Sequence, residues 1–186
     1  MNTATIFNCN RELGESCLHM GEWDKAGEYY LRAANADAQS AEPYLGLATV
    51  AVQRGELDKA LVLYWKAAEL ECSDKALCGI ALVSMEQGNH LMAFDYFMLA
   101  LSRRCDNMVA LNGLVRVAYR LGRVDEILPC LEKALASGTE SEAVRLTLAG
   151  CLIFLGRNVQ ARQHIDAVLR DAPDHLGARE LAALAA

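Results

Sequence analysis

The stretch MGEWDKAGEYYLRAANAD, from Met20 to Asp37, returns in outline as RGELDKALVLYWKAAELE, from Arg54 to Glu71. Gly21-Glu22 becomes Gly55-Glu56, Asp24-Lys25-Ala26 becomes Asp58-Lys59-Ala60, and Tyr30 becomes Tyr64, each displaced by 34 residues. A fixed period of this length constrains the fold more than composition does. One supersecondary unit that cannot bury its apolar face alone must stack on copies of itself.

With the glycine as origin, the register covers five units. Gly21, Gly55, Gly88, Gly122 and Gly156 are spaced 34, 33, 34 and 34 residues apart. Eight positions earlier stand Leu13, Leu47, Ile80, Leu114 and Leu148, all apolar. Seven positions earlier stand Gly14, Ala48, Ala81, Val115 and Ala149, small in four units. Five positions later come Ala26, Ala60, Ala93, Ile127 and Ala161; nine later, the larger Tyr30, Tyr64, Phe97, Leu131 and Ile165. Twelve later come Ala33, Ala67, Ala100, Ala134 and Val168. The glycine ends a helix A and permits a tight reversal into a helix B, because it tolerates φ > 0. Small residues before and after it let A and B approach closely, and the large ninth residue fills the space where they diverge.

Helix starts carry their own chemistry. Ser40 precedes Ala41-Glu42-Pro43-Tyr44, with Pro43 expected in the first turn, and Ser73 precedes Asp74-Lys75. Thr139 with Glu142 forms an expected capping box, and Asp174 is expected to cap a last helix. Pro129 should make helix B of the fourth unit kink or begin late, near Asp125.

These five anchors in register resemble the tetratricopeptide repeat (TPR) family over about residues 7–175. The units are 7–40, 41–73, 74–107, 108–141 and 142–175, followed by a cap helix at 176–186, all within a single array 1–186. The resemblance implies an all-α fold: a right-handed α-solenoid of five TPR helix pairs plus a C-terminal capping helix. Terminal units need such a cap to hide an apolar face. The family's aromatic eleven residues before the glycine is met by Tyr44 but not by Asn10 or Arg145, so the end units are atypical.

Composition narrows the function classes. The hydrophobic content of 53% supports a sizeable core. Residues 1–74 carry 12 acids against 6 Lys and Arg, while the rest of the chain is balanced, giving the net charge of −6. Without a basic stripe, neither nucleic acid nor an anionic membrane is an expected partner. No apolar run reaches transmembrane length, and no secretory leader is readable at the start. The seven cysteines form no CxxC pair and several fall at apolar helical positions, which fits small core hydrophobes in a reducing cytoplasm. No phosphate loop, zinc-protease motif or nucleophile elbow occurs, and His19, His90, His164 and His175 lie far apart. The chain reads as a non-enzyme without cofactor or metal.

In the resemblance, helices A line the inner surface. The implied peptide-binding groove comprises Leu45, Gly46, Thr49, Val52, Cys78, Gly79, Leu82, Met85, Asn112, Gly113, Arg116, Tyr119 and Arg120. Gly46, Gly79 and Gly113 hold one inward position in three successive units, each at a cost of roughly 1 kcal/mol of helix propensity. They make room either for a ligand backbone or for a neighbouring helix. The strip is apolar in its middle, acidic at Glu12, Glu15 and Glu42, and basic at Arg116 and Arg120. Some family members hold a C-terminal carboxylate with basic and asparagine side chains. The corresponding positions here are Arg11, Glu15, Gly46, Lys75 and Gly79, which lack both asparagines. The implied function is a non-catalytic, chaperone- or adaptor-like module binding a peptide or helical segment of a protein partner. The alternative is a structural protein that forms a homo-oligomer through its terminal or convex surfaces.

Overall fold

The computed structural model describes residues 2–138 and 141–186, all but the side chain of Ser141. Among the described residues there are helices and no strand. They run as α1 (Thr3–His19), α2 (Trp23–Ala36), α3 (Glu42–Gln53), α4 (Leu57–Leu70), α5 (Asp74–Glu86), α6 (His90–Arg103), α7 (Met108–Leu121), α8 (Leu128–Ala136), α9 (Ser141–Phe154), α10 (Asn158–Asp171) and α11 (Leu176–Leu184). The expected five pairs and terminal helix are therefore present. They divide into two compact units, Met1–Arg103 with α1–α6 and Arg104–Ala186 with α7–α11.

All five register glycines close their helices the same way. Gly21, Gly55, Gly88, Gly122 and Gly156 have φ between 70° and 81°. The N–H that follows each one reaches back five residues, from Glu22 to the Cys17 carbonyl at 2.9 Å and from Arg157 to the Leu152 carbonyl at 2.8 Å. This Schellman closure satisfies carbonyls that a helix end leaves orphaned. No residue with a Cβ fills that left-handed position cheaply, so the glycine sets the period.

The alanines explain the close pairing. Ala26, Ala60, Ala93 and Ala161, five residues past the glycine, are fully buried, as are Ala33, Ala67 and Ala100 seven residues further on. Ala60 packs with Ala51 and Val83, tying α3, α4 and α5 together in unit 1. Leu13 departs from its register: it is 40% exposed. Between repeats the second and third turns are tied back by an equivalent contact. Arg54, just before Gly55, pairs with Asp24, and Gln87, just before Gly88, donates to Asp58 at 2.8 Å.

The helix starts follow the sequence in part. The Ser73 hydroxyl accepts the Ala76 N–H at 3.3 Å, as expected of a cap. Ser40 does not cap α3; the N-cap position is Ala41, without a side-chain bond, and Pro43 lies in the first turn. Asp174 does not cap α11 either. His175 takes the position, its Nδ1 accepting the Ala178 N–H at 3.1 Å, while Asp174 pairs with Arg179 at 2.5 Å. The expectation erred because an imidazole nitrogen serves as well as a carboxylate when it sits one residue closer. Thr139 lies outside the described residues. Pro129 acts as expected: Val124–Ile127 form a 3₁₀ turn, and α8 begins only at Leu128 with the proline in its first turn.

Candidate functional site

In unit 1 the A helices lie side by side, with α3 next to both α1 and α5. A cavity of about 330 Å³ opens on this face. Its apolar wall is Leu18 and Leu45, and Gly46, Thr49, Tyr30 and Tyr64 also line it. Arg11, Glu15, His19, Glu42 and Lys75 complete the lining with charged and polar groups.

The tyrosines come from B helices, and their position rests on glycine. A Cβ on Gly46 would stand 2.4 Å from Tyr30 Cζ, and one on Gly14 would stand 3.0 Å from the same ring. The Tyr30 ring is thus held between α1 and α3. A Cβ on Gly79 would stand 2.3 Å from Tyr64 Cε1. Of the two readings of the glycine line, helix packing holds at Gly46 and Gly79. The room they leave is filled by the ring of the preceding B helix, and that ring carries its hydroxyl toward the A-helix face. The Tyr64 hydroxyl lies 3.4 Å from Thr49 Oγ1, which donates to the Leu45 carbonyl at 3.0 Å. Burial, the main cause, pushes both phenols above the ordinary tyrosine value, so they are neutral hydroxyls at physiological pH.

Charge gathers on one guanidinium. Arg11 approaches Glu12 at 3.4 Å, Glu15 at 3.7 Å and Glu42 at 3.3 Å through three different nitrogens. The three carboxylates remain largely in solvent, so each pair contributes little to stability. Lys75 has no ion-pair partner among the described residues, and His19 is a surface histidine bonded through Nδ1 to the Glu15 carbonyl at 2.8 Å.

The expected groove residues separate by exposure. Leu45, Gly46 and Thr49 line the cavity; Val52, Leu82 and Met85 are half-buried on α3 and α5. Cys78 is only 5% exposed, so it stands behind the A-helix surface and offers no contact area; the sequence expectation there needs correcting. Its place in the register was inward, but it adjoins the half-buried Tyr64. In unit 2, Gly113 is buried, whereas Asn112, Arg116, Tyr119 and Arg120 are exposed on α7. Tyr119 stacks edge-on against Phe154, with centroids 4.9 Å apart, and its hydroxyl donates to Cys151 Sγ at 3.8 Å. Burial drives the Tyr119 phenol far above its ordinary value and raises the Cys151 thiol. Among the described residues no three His, Cys, Asp or Glu side chains gather as a metal site, and no helix is long and apolar enough to cross a membrane.

Sequence models of the tetratricopeptide repeat match residues 118–186 and 41–64. The chain belongs to the tetratricopeptide repeat family. A curated relative, a CTR9 homolog of Arabidopsis thaliana, is 27% identical over 171 residues, 91% of this chain. The chain spans only 12% of that protein's length. Among solved structures, PilF of Pseudomonas aeruginosa superposes with a TM-score of 0.74 at 19% identity, covering 100% of this chain and 90% of that one. MamA gives 0.69 at 17% identity, covering 90% of this chain and 92% of that chain. YrrB, described as a TPR protein with an unusual peptide-binding site, gives 0.67 at 16% identity, covering 92% and 89%. At these identities the likeness is one of fold.

The TPR fold makes the chain a protein–protein interaction module, and the family is generally one of non-catalytic scaffolds. Tyr30 and Tyr64 are the cavity-lining residues that the register concealed. They occupy a position read as core filler, and only their hydroxyl signalled otherwise. A tyrosine at a core position needs its polar end to reach a partner or water.

Proposed function

We propose that this TPR chain binds a segment of a partner protein on the A-helix face, in an adaptor- or chaperone-like role. The cavity in unit 1 supports the reading: Leu45, Gly46 and Thr49, groove residues by sequence, line it together with Leu18, Tyr30 and Tyr64. A depression with apolar walls and a few polar groups suits one side chain of an incoming segment. In unit 2 the proposed contacts are Asn112, Arg116, Tyr119 and Arg120, where an acid of the partner would meet the arginines.

Selection of a displayed library of random dodecapeptides on the intact protein tests this. Enriched peptides should bind the native chain and lose about tenfold or more in affinity to Leu45→Arg, whose helical circular dichroism stays unchanged. Enriched peptides that bind Leu45→Arg and the native chain equally would place the binding surface elsewhere.

A further inference from the structure

Six residues past the turn glycines stand Gly27, Leu61, Phe94, Leu128 and Arg162, so the first repeat alone has no side chain at that position. We propose that the hollow it leaves between α2 and α4 is a second binding site, which takes a neutral aromatic side chain, Trp or Phe, of a partner protein. The site shares no lining residue with the cavity on the A-helix face and does not rest on that reading.

The first observation is a hole that packing does not require. A cavity of about 660 Å³ lies between the two B helices, lined by Leu31 of α2, Leu47 and Val50 of α3 and Leu63 of α4. Gly27 is buried in the middle of α2, yet a Cβ there would meet nothing closer than Val50 Cγ1 at 3.8 Å. Unlike Gly46 and Gly79, this glycine yields to no ring of its own chain. It forfeits helix propensity and apolar contact together.

The second observation is what fills the same place one repeat later. There Leu61 packs against the cluster of Ala51, Ala60 and Val83, and Val83 holds on α5 the register position of Val50 on α3. Leu31 and Leu63 correspond in register to Trp65 and Tyr96, whose rings meet edge-on with centroids 5.1 Å apart and bridge α4 to α6. One groove thus has aliphatic bulk and a ring pair, and its neighbour has neither. A ring brought by a partner supplies both, lying over Gly27 as the Tyr30 ring lies against Gly46 and touching Leu31 and Leu63.

The third observation is the charge around the hollow. Its lining holds two acids and two bases, Asp24 and Glu28 with Arg54 and Lys59. Asp24 pairs with Arg54, Glu28 with Arg32 and Lys59 with Glu56. Every lining charge is answered within the chain, so an ionised side chain would give up water there without gaining a partner, and a neutral ring would not.

Three capped peptides test the assignment: Ser-Gly-Trp-Gly-Ser and its versions with Ala or Glu in place of Trp. Binding is read from methyl NMR signals of the intact chain. The tryptophan peptide should shift Leu31, Leu47 and Leu63 saturably at about millimolar concentration, about tenfold more tightly than the other two. Gly27→Leu fills the hollow as Leu61 does one repeat later; it should remove the response and raise the thermal midpoint. Leu31→Glu, at an exposed position, should weaken binding about fivefold with helicity retained, whereas Leu45→Arg should leave it unchanged. Equal binding of the three peptides, no saturable shift at about 10 mM, or a response that survives Gly27→Leu overturns the proposal. A response lost in Leu45→Arg but kept in Gly27→Leu belongs to the A-helix face and overturns this site alone. Free indole that binds where the tryptophan peptide does not overturns the assignment to a protein partner.

Discussion

Unit 1 places tyrosines nine residues past its first two turn glycines, whereas unit 2 places Leu131 and Ile165 there. The consequence runs into the next A helix. In unit 1 the rings of Tyr30 and Tyr64 lie against Gly46 and Gly79, closer than any Cβ would permit. In unit 2 the equivalent position after Leu131 is Thr147, a residue with a full side chain. A flat ring carried outward by a B helix therefore demands a missing Cβ on the following A helix, and a branched aliphatic does not. The demand brings the tyrosine rings to the A-helix face of unit 1, where Arg11, Lys75, Glu15 and Glu42 also stand. One register thus supports two surface chemistries.

The largest effect should come from breaking the ring–glycine fit. Gly46→Ala should cost about 2 kcal/mol, because the Tyr30 ring is confined by Gly14 on its other side and overpacking outweighs alanine's better helix propensity. Tyr30→Leu should relieve most of that clash, so a double-mutant cycle followed by urea denaturation should show strong coupling between the two sites. Simple addition of the two costs would show that the ring does not constrain Gly46.

The opposite sign is expected in unit 2. The nearest atom to a Cβ on Gly150 is the Tyr119 hydroxyl at 4.0 Å, which is ordinary van der Waals distance. Gly150→Ala should therefore stabilise α9 by about 0.5–1 kcal/mol, read as a raised thermal midpoint. A loss instead would mean that glycines in the two units serve the same packing purpose.

The smallest effect is a pH dependence. The phenols of Tyr30 and Tyr64 have raised folded values through burial, so the stabilisation they contribute is present below the ordinary tyrosine value near 10. It should be lost as pH rises through their folded values, since the unfolded chain then ionises first. Denaturant midpoints should fall in that alkaline window, and Tyr64→Phe should reduce the fall. An unchanged slope in Tyr64→Phe would show that the hydroxyl is not sequestered by the fold.

Most of the architecture was legible from periodicity. The turn glycines, the buried alanines and the late start of α8 at Pro129 are local consequences of backbone freedom and side-chain size. The caps were less legible. Ser40 looked like a cap by residue type, yet α3 begins without one, and His175 displaced Asp174 by a shift of one position. Of the groove residues, Cys78 stands at an inward register position, yet it is only 5% exposed.

What the sequence determined by itself was the repeat: where chains reverse, which residues must be small, and how many helices stack. Those follow from interactions between neighbours in the chain or one period apart. What only the tertiary structure decided was the character of the A-helix face. Whether Gly46 admits a ligand or a tyrosine ring depends on an atom 16 residues away in the chain and within contact in space. Whether Arg11 is available to a partner depends also on Glu42 of α3, which spacing along α1 does not bring within reach. Periodicity fixes spacing along the chain, and the chemistry of a surface is fixed by which side chains meet across it.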